Sequence, residues 1–322
     1  MRRFLQFIAG LIGITLLLAF VEFMPAPRYT YFWDRTYDTG HILVFGIGVM
    51  MTLTMVRAFG LSQRLRWQYV GSCVFTLILG LLVEVWQSFH ERTAEWIDVY
   101  SDLVGILAFA AIYAMLDKRI VNPREGLLRR GTLALIAGAI LFAGLLPFFQ
   151  TVSLYVARYR LQPSLIDFEK PWYPHFYYEQ SADFEVVDPP DGWPDHAKRF
   201  DKVARITLLE KGKYPGLVYR EPHWNWSRYE SLEWDLLYEA TVPREFVVRV
   251  HDFDHSREPR DRFRAVVTIN PGFQTLRFKL SDIQQTESGR ELDLTRIAGL
   301  GIFTMNAKDK PVLYLGDLRL VK

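Results

Sequence analysis

Five apolar runs fall within the first 155 residues, at 4–24, 41–56, 69–83, 106–116 and 133–155. A helix needs ~20 apolar residues to cross the hydrocarbon of a bilayer, where every peptide group must be hydrogen-bonded within its own segment. The first and last runs have that length, and the other three reach it once their polar ends are included. Five spans place the two ends of the chain on opposite sides of a membrane. The first run follows Met1-Arg2-Arg3 and also reads as a signal peptide with the arginines as its n-region. Phe23-Met24-Pro25-Ala26 is a poor small-residue cleavage site, which favours a retained span. The last run carries Pro147, a kink position.

Orientation follows from Lys and Arg in the short loops. Arg2 and Arg3, then Arg57, Arg64 and Arg66, then Lys118, Arg119, Arg124, Arg129 and Arg130 all fall on one side. The opposite loops carry more acid, with Asp34, Asp38, Glu91 and Glu95 beside Arg28, Arg35 and Arg92. The basic side is expected in the cytoplasm together with the N-terminus. The chain is then a multi-pass protein of the inner (plasma) membrane whose C-terminal half is periplasmic or extracellular. The net charge of +2 averages two unlike halves and points to no nucleic-acid partner. Cys73 is the single cysteine, so no intrachain disulfide forms.

Ionisable groups at the ends of membrane helices are costly, so they pair, face the bundle interior and mark sites. Here they collect at the outer ends. Asp38 and His41 share a face of the second span. Glu84, Gln87, Ser88 and Glu91 follow helical spacing on the third, and Asp98, Ser101, Asp102 and Gly105 do so on the fourth. Arg92 lies in the turn between them. One reading is plain interhelical hydrogen bonding at the water boundary. The other is a ligand site of His41, Glu84, Gln87, Arg92, Asp98 and Asp102. In that site Arg92 with Arg28 and Arg35 holds a phosphate, and Glu84, Asp98 and Asp102 are catalytic candidates for acid and base work. A metal or a proton relay on the same residues stays open, although no tight ligand spacing such as His-Glu-x-x-His occurs.

The order Asp38-Thr39-Gly40-His41, Glu84-x-x-Gln87 with Arg92, then Asp98-x-x-x-Asp102-x-x-Gly105 resembles the VanZ-like family of membrane proteins over residues 4–120. The resemblance implies four membrane helices and, for some members, reduced susceptibility to glycopeptide antibiotics. It supplies no reaction.

After about residue 164 the period becomes two. Leu232, Trp234, Leu236 and Tyr238 alternate with polar residues, as do Phe246, Val248 and Val250, then Phe263 to Ile269, then Leu276, Phe278 and Leu280. Turns at Glu210-Lys211-Gly212-Lys213, Asn270-Pro271-Gly272 and Glu287-Ser288-Gly289 separate them. This predicts an antiparallel sandwich. Tyr214-Pro215-Gly216-Leu217, Trp226-Ser227-x-Tyr229-x-x-Leu232, Leu292-Asp293-Leu294-x-x-Ile297 and Leu313-Tyr314-Leu315-Gly316-Asp317-Leu318 resemble the galactose-binding-like jelly roll of carbohydrate-binding modules. That resemblance implies a structural calcium, for which Asp167, Glu169 and Asp317 are the nearest acids, with ordinary surface carboxylates as the alternative. It also implies aromatic sugar platforms. Trp172, Tyr173, Trp193, Trp224 and Trp226 sit in polar loop contexts, of which Trp224 and Trp226 are the candidates, and packing beneath a loop or resting on the bilayer interface is the alternative for each.

The expected architecture is an α-helical transmembrane bundle of five spans plus an all-β jelly-roll sandwich. Residues 1–120 form the VanZ-like membrane domain, 121–163 a cytoplasmic loop, the fifth helix and a linker, and 164–322 the sandwich. The expected partners are a membrane and a lipid-linked or cell-wall glycan, with no cofactor beyond the calcium. A membrane enzyme acting on a lipid-linked intermediate and a structural anchor are the rival readings.

Overall fold

The computed structural model describes residues 8, 10, 12–16, 19, 30–61, 63–89, 96–121, 126–170, 173–210, 212, 214–256, 258–305 and 307–322, with 87 and 88 as backbone. Contacts divide the chain into two compact units, Met1–Ser153 and Leu154–Lys322.

The first unit is helical. Helix α1 covers Tyr31–Phe59, α2 Leu65–Ser88, α3 Trp96–Leu116 and α4 Gly126–Leu161, and α4 continues past Ser153 into the second unit. Among the described residues these four helices are long and apolar enough to cross a membrane. The expected first span, 4–24, lies largely outside the described residues.

Local chemistry sets the helix ends. Thr30 caps α1 by accepting from the Trp33 N–H at 3.3 Å, and Gly60 closes it in the left-handed conformation, φ 65°. The third apolar run ends at Val83, yet α2 stays helical to Ser88, so Glu84 is carried on a helix face and not in a loop. Pro147 sits within α4, and the Thr151 hydroxyl donates to the Pro147 carbonyl at 3.0 Å.

Small residues set how closely the helices approach. A Cβ at Gly105 would fall on the Ile42 carbonyl, so α3 crosses α1 nearly backbone to backbone there. Val44, Phe45, Val49, Leu53 and Ile106 fill the contact below that crossing.

The second unit is a two-layer antiparallel sandwich. Its strands are β1 Tyr177–Gln180, β2 Ala182–Val187, β3 Val203–Leu208, β4 Gly216–Arg220, β5 Ser231–Glu239, β6 Arg244–Asp252, β7 Phe263–Ile269, β8 Gly272–Lys279, β9 Ile297–Phe303 and β10 Val312–Val321. One sheet has the order β1-β4-β9-β6-β7, the other β2-β3-β10-β5-β8. The alternation read in the sequence becomes the inner face: Leu232, Trp234, Leu236 and Tyr238 of β5 are buried, as are Phe246, Val248 and Val250 of β6. Tyr238 meets Phe246 edge-on at 5.6 Å between ring centroids, and Phe263 meets Phe278 at 6.0 Å, so aromatic pairs join the sheets. Leu280, expected as the end of a strand, instead opens a single helical turn, α5, over Leu280–Ile283. There Ser281 and Asp282 face solvent while Leu280 and Ile283 stay buried, a period that a strand does not provide.

Candidate functional site

In the helical unit the His41 Nδ1 lies 2.9 Å from the Asp102 Oδ1, joining α1 to α3. Glu84 of α2 is 5 % exposed, and both Glu84 and Asp98 lie near enough to act electrostatically on His41. Gly80 of α2 makes this possible, since a side chain there would collide with the Asp102 carboxylate and press on Phe45. Phe45, one turn below His41, stacks on its ring at 5.9 Å. The sequence set His41, Glu84, Asp98 and Asp102 is therefore brought to one end of the unit. Asp38 turns to Arg35 instead, with 2.8 Å between Arg35 Nη1 and Asp38 Oδ2. Arg92 and Arg28 lie outside the described residues, as does the Gln87 side chain.

Chemically, a buried imidazole with one nitrogen held by a carboxylate has a fixed tautomer and orientation, the arrangement of a general base or of a donor to an anion. Among the described residues no three His, Cys, Asp or Glu stand together as metal ligands.

A second polar cluster, at the basic end, was not foreseen. Asp117, just past α3, is 5 % exposed and receives Arg57 of α1, the Tyr69 hydroxyl of α2 at 3.1 Å and the Arg119 Nε at 3.2 Å. Arg119 also donates to Gln68 at 2.9 Å, and Arg57 lies over the Tyr113 ring. In sequence this stretch reads only as part of a basic loop.

In the sandwich, Trp224 is 54 % exposed, whereas Trp226 is 0 % exposed. Trp226 is therefore no sugar platform. The loop that carries it is stitched to the segment before β9, with the Trp226 N–H donating to the Leu294 carbonyl at 2.7 Å and Ile297 N–H to the Trp224 carbonyl at 2.8 Å. These bonds fix the loop's backbone on both sides of residue 225, and the Trp226 ring is fully buried.

The calcium acids are engaged by protein donors. Asp317 accepts from Ser164 at 2.6 Å and faces Arg319 and Arg199, and burial pushes its carboxyl above the ordinary range. Asp167 accepts the Glu169 N–H and pairs with Lys170, and Glu169 accepts the Asp201 N–H. With guanidiniums on one of them and none of the three in a ligand cluster among the described residues, these acids do not fit a calcium site.

The feature that sequence reasoning missed is the outer face of the β1-β4-β9-β6-β7 sheet. One register row crosses it as Tyr178, Val218, Gly301, Arg249 and Arg264, and the next as Arg220, Gly299 and His251. A side chain at Gly299 would strike the His251 ring, and one at Gly301 the Phe303 ring, so the two glycines let those rings lie flat on β9. The Arg249 guanidinium lies 4.8 Å from the Phe303 centroid and that of Arg220 4.4 Å from the Tyr178 centroid. Burial, aided by His255 and Arg249, pushes the His251 imidazole down to about 3, which leaves it neutral near pH 7. Single residues on separate strands gave no local signal for this assembly.

No protein-family model matches this chain, and no curated protein matches it. Solved structures do. A family 11 carbohydrate-binding module from Clostridium thermocellum, in complex with a β-1,3-1,4-mixed-linked tetrasaccharide, is 15 % identical with a TM-score of 0.36, covering 49 % of this chain and 94 % of the module. An exo-β-agarase is 19 % identical with a TM-score of 0.39, covering 49 % of this chain and 24 % of the agarase. The CBM22-1-GH10 modules of a Clostridium thermocellum xylanase, complexed with xylohexaose, are 9 % identical with a TM-score of 0.34, covering 50 % and 29 %.

Proposed function

We propose that this is a membrane-anchored glycan-recognition protein, with the ligand held on the outer face of the β1-β4-β9-β6-β7 sheet. The observation that carries it is the juxtaposition on that face of the part-exposed Tyr178 ring with the Arg220 and Arg249 guanidiniums, Arg249 being seated on the buried Phe303 ring. Sugars present apolar C–H faces and rims of hydroxyls, which rings and planar donors match together. The basic end of the helical unit, with Arg57, Arg119 and Arg129, faces the cytoplasm in this reading, and the His41–Asp102 end the outer leaflet. There the cluster with Arg92 takes the phosphate of a lipid-linked envelope precursor, the setting in which the VanZ-like resemblance and its link to glycopeptide susceptibility make sense. Binding of full-length protein in detergent to arrayed cell-wall and plant oligosaccharides tests the sandwich site. Loss of every signal in Tyr178→Ala supports it, and an unchanged pattern in that variant rejects it. Binding of a lipid-linked precursor that survives Arg92→Ala removes the head-group site.

A second reading, a membrane enzyme acting on such a precursor, is favoured by the His41–Asp102 pair itself, which presents an oriented base. Turnover of a lipid-linked substrate that vanishes in His41→Gln and in Glu84→Gln would move the protein into that class.

A further inference from the structure

The outer face of the β1-β4-β9-β6-β7 sheet separates its arginines from carboxylates. Elsewhere in the sandwich the pattern is pairing: Arg290 grips Asp252 in bidentate fashion at 2.7 and 3.0 Å, Arg296 meets Asp254 at 2.6 Å, Arg277 meets Glu233 at 3.4 Å, and Arg319 meets Glu233 and Asp235. Among the described residues, Arg220, Arg249, Arg262 and Arg264 make no such ion pair. The rows through Arg249 and Arg220 contain no Asp or Glu at all. The outward acid on β6 is Glu245, four residues from Arg249 and so about 13 Å along the strand. Asp252 and Asp261, the acids that bear on His255, are already taken up by Arg290.

Arg249 sits at the centre of this field. It is half-buried, and its Nε has no hydrogen-bond partner. Burial lowers its pKa and neighbouring Arg262 adds to that, against favourable contacts with the Tyr178 hydroxyl and the Phe303 ring. The His251 Nδ1 beside it is likewise buried without a partner. A buried guanidinium without a counter-charge is costly, and a face that collects such groups is complementary to an anion.

We propose that the glycan held on this face is acidic, and that its carboxylate or phosphate group is bound by Arg249 with Arg220, while its ring rests beside the part-exposed Tyr178. The inference rests on the glycan reading above and names its substrate class. Guanidinium forks fit both carboxylate and phosphate, so the anion's source is left to the experiment.

Full-length protein in nanodiscs of neutral phosphatidylcholine is titrated calorimetrically with tetragalacturonate, with its fully methyl-esterified form and with a glycerol-phosphate oligomer. At least one anionic probe is expected to bind roughly tenfold or more tightly than the ester, and to weaken as salt rises. Arg249→Gln and Arg220→Gln should each remove about tenfold of that affinity. Arg249→Lys, which keeps the charge but loses the fork, should restore part of it. Hydrogen exchange in β6 and β9 confirms that each variant is folded. Equal binding of ester and acid overturns the acidic class and leaves the glycan reading standing. Acid binding indifferent to both arginine variants overturns the site. Binding of none of the three probes overturns the acidic class, and the oligosaccharide array then decides the glycan reading by itself.

Discussion

His41 and Asp102 are hydrogen-bonded at 2.9 Å across 61 residues of chain, and both are nearly inaccessible, at 8 % and 1 % exposure. The pair joins α1 to α3 where Gly105 lets the two backbones approach, and Gly80 leaves room for the carboxylate against α2. Removing one member leaves the other buried without its hydrogen-bond partner. Polar pairs in membrane bundles contribute ~0.6 to ~2 kcal/mol, less than in water-soluble cores, because the unfolded helices also find partners in the membrane. Asp102→Ala is therefore expected to cost about 2 kcal/mol in denaturant unfolding of the solubilised protein, and Asp102→Asn, which keeps an acceptor, under about 1 kcal/mol. If Asp102→Asn abolishes ligand binding or turnover at unchanged stability, the pair is functional; parallel losses would make it a structural staple.

The Asp117 cluster leads to a different outcome. Its carboxylate is engaged by Arg57, Arg119 and Tyr69, from three separate segments, so it holds the basic end of the bundle together. Asp117→Ala leaves Arg57, three-quarters shielded, without its counter-charge. Breaking a buried pair costs about 3 kcal/mol or more, so the variant should accumulate at much lower levels and unfold at lower denaturant. Substrate or glycan affinity of the surviving folded fraction should be unchanged. A wild-type unfolding midpoint would show that these arginines find other partners.

Trp224 and Trp226 share a loop and differ in every other respect. Truncating wholly buried Trp226 to Ala leaves a large cavity and is expected to cost about 3 to 5 kcal/mol. Trp224→Ala removes an exposed ring and should stay within about 0.5 kcal/mol of wild type. Unfolding of the sandwich, followed by its near-ultraviolet circular dichroism, distinguishes them. A tolerant Trp226 would contradict the stitched loop.

What was legible in the sequence had a local period. The alternation of Leu232, Trp234, Leu236 and Tyr238 is the sheet's inner face, because each side chain's neighbour is set two residues away. The three-four spacing at Glu84, Asp98 and Asp102 put those groups on helix faces for the same reason. What was hidden depends on register between distant strands or on loop closure. Arg249 meets Phe303 only because Val247 pairs with that phenylalanine, Arg249 standing one row on. Asp117 looked like one residue of a charged loop until Arg57 closed on it. The polar neighbours of Trp226 suggested exposure, yet in the loop tied by backbone bonds to Leu294 and Ile297 its ring is fully buried.

The imidazole pair of the sandwich supplies a pH response with a definite sign. His251 and His255 lie 4.4 Å apart between ring centroids, with Arg249 and Arg262 adding positive charge and Asp252 the opposing carboxylate. Burial first, then His255, hold His251 down to about 3 in the folded protein, while an unfolded histidine titrates near ~6.5. Between those values the unfolded chain binds the extra proton, so stability falls as pH falls through that window and is fully present above it. At about pH 4.5 the loss attributable to His251 should reach about 2 kcal/mol, the remainder being screened by solvent at its accessible edge. Hydrogen exchange of β6 and β9 in the full-length protein, compared at about pH 7 and pH 4.5 after correction for the intrinsic rate, should show this loss. His251→Gln cannot take up the proton and should flatten the difference. An equally steep pH response in that variant would assign the acid sensitivity to other groups.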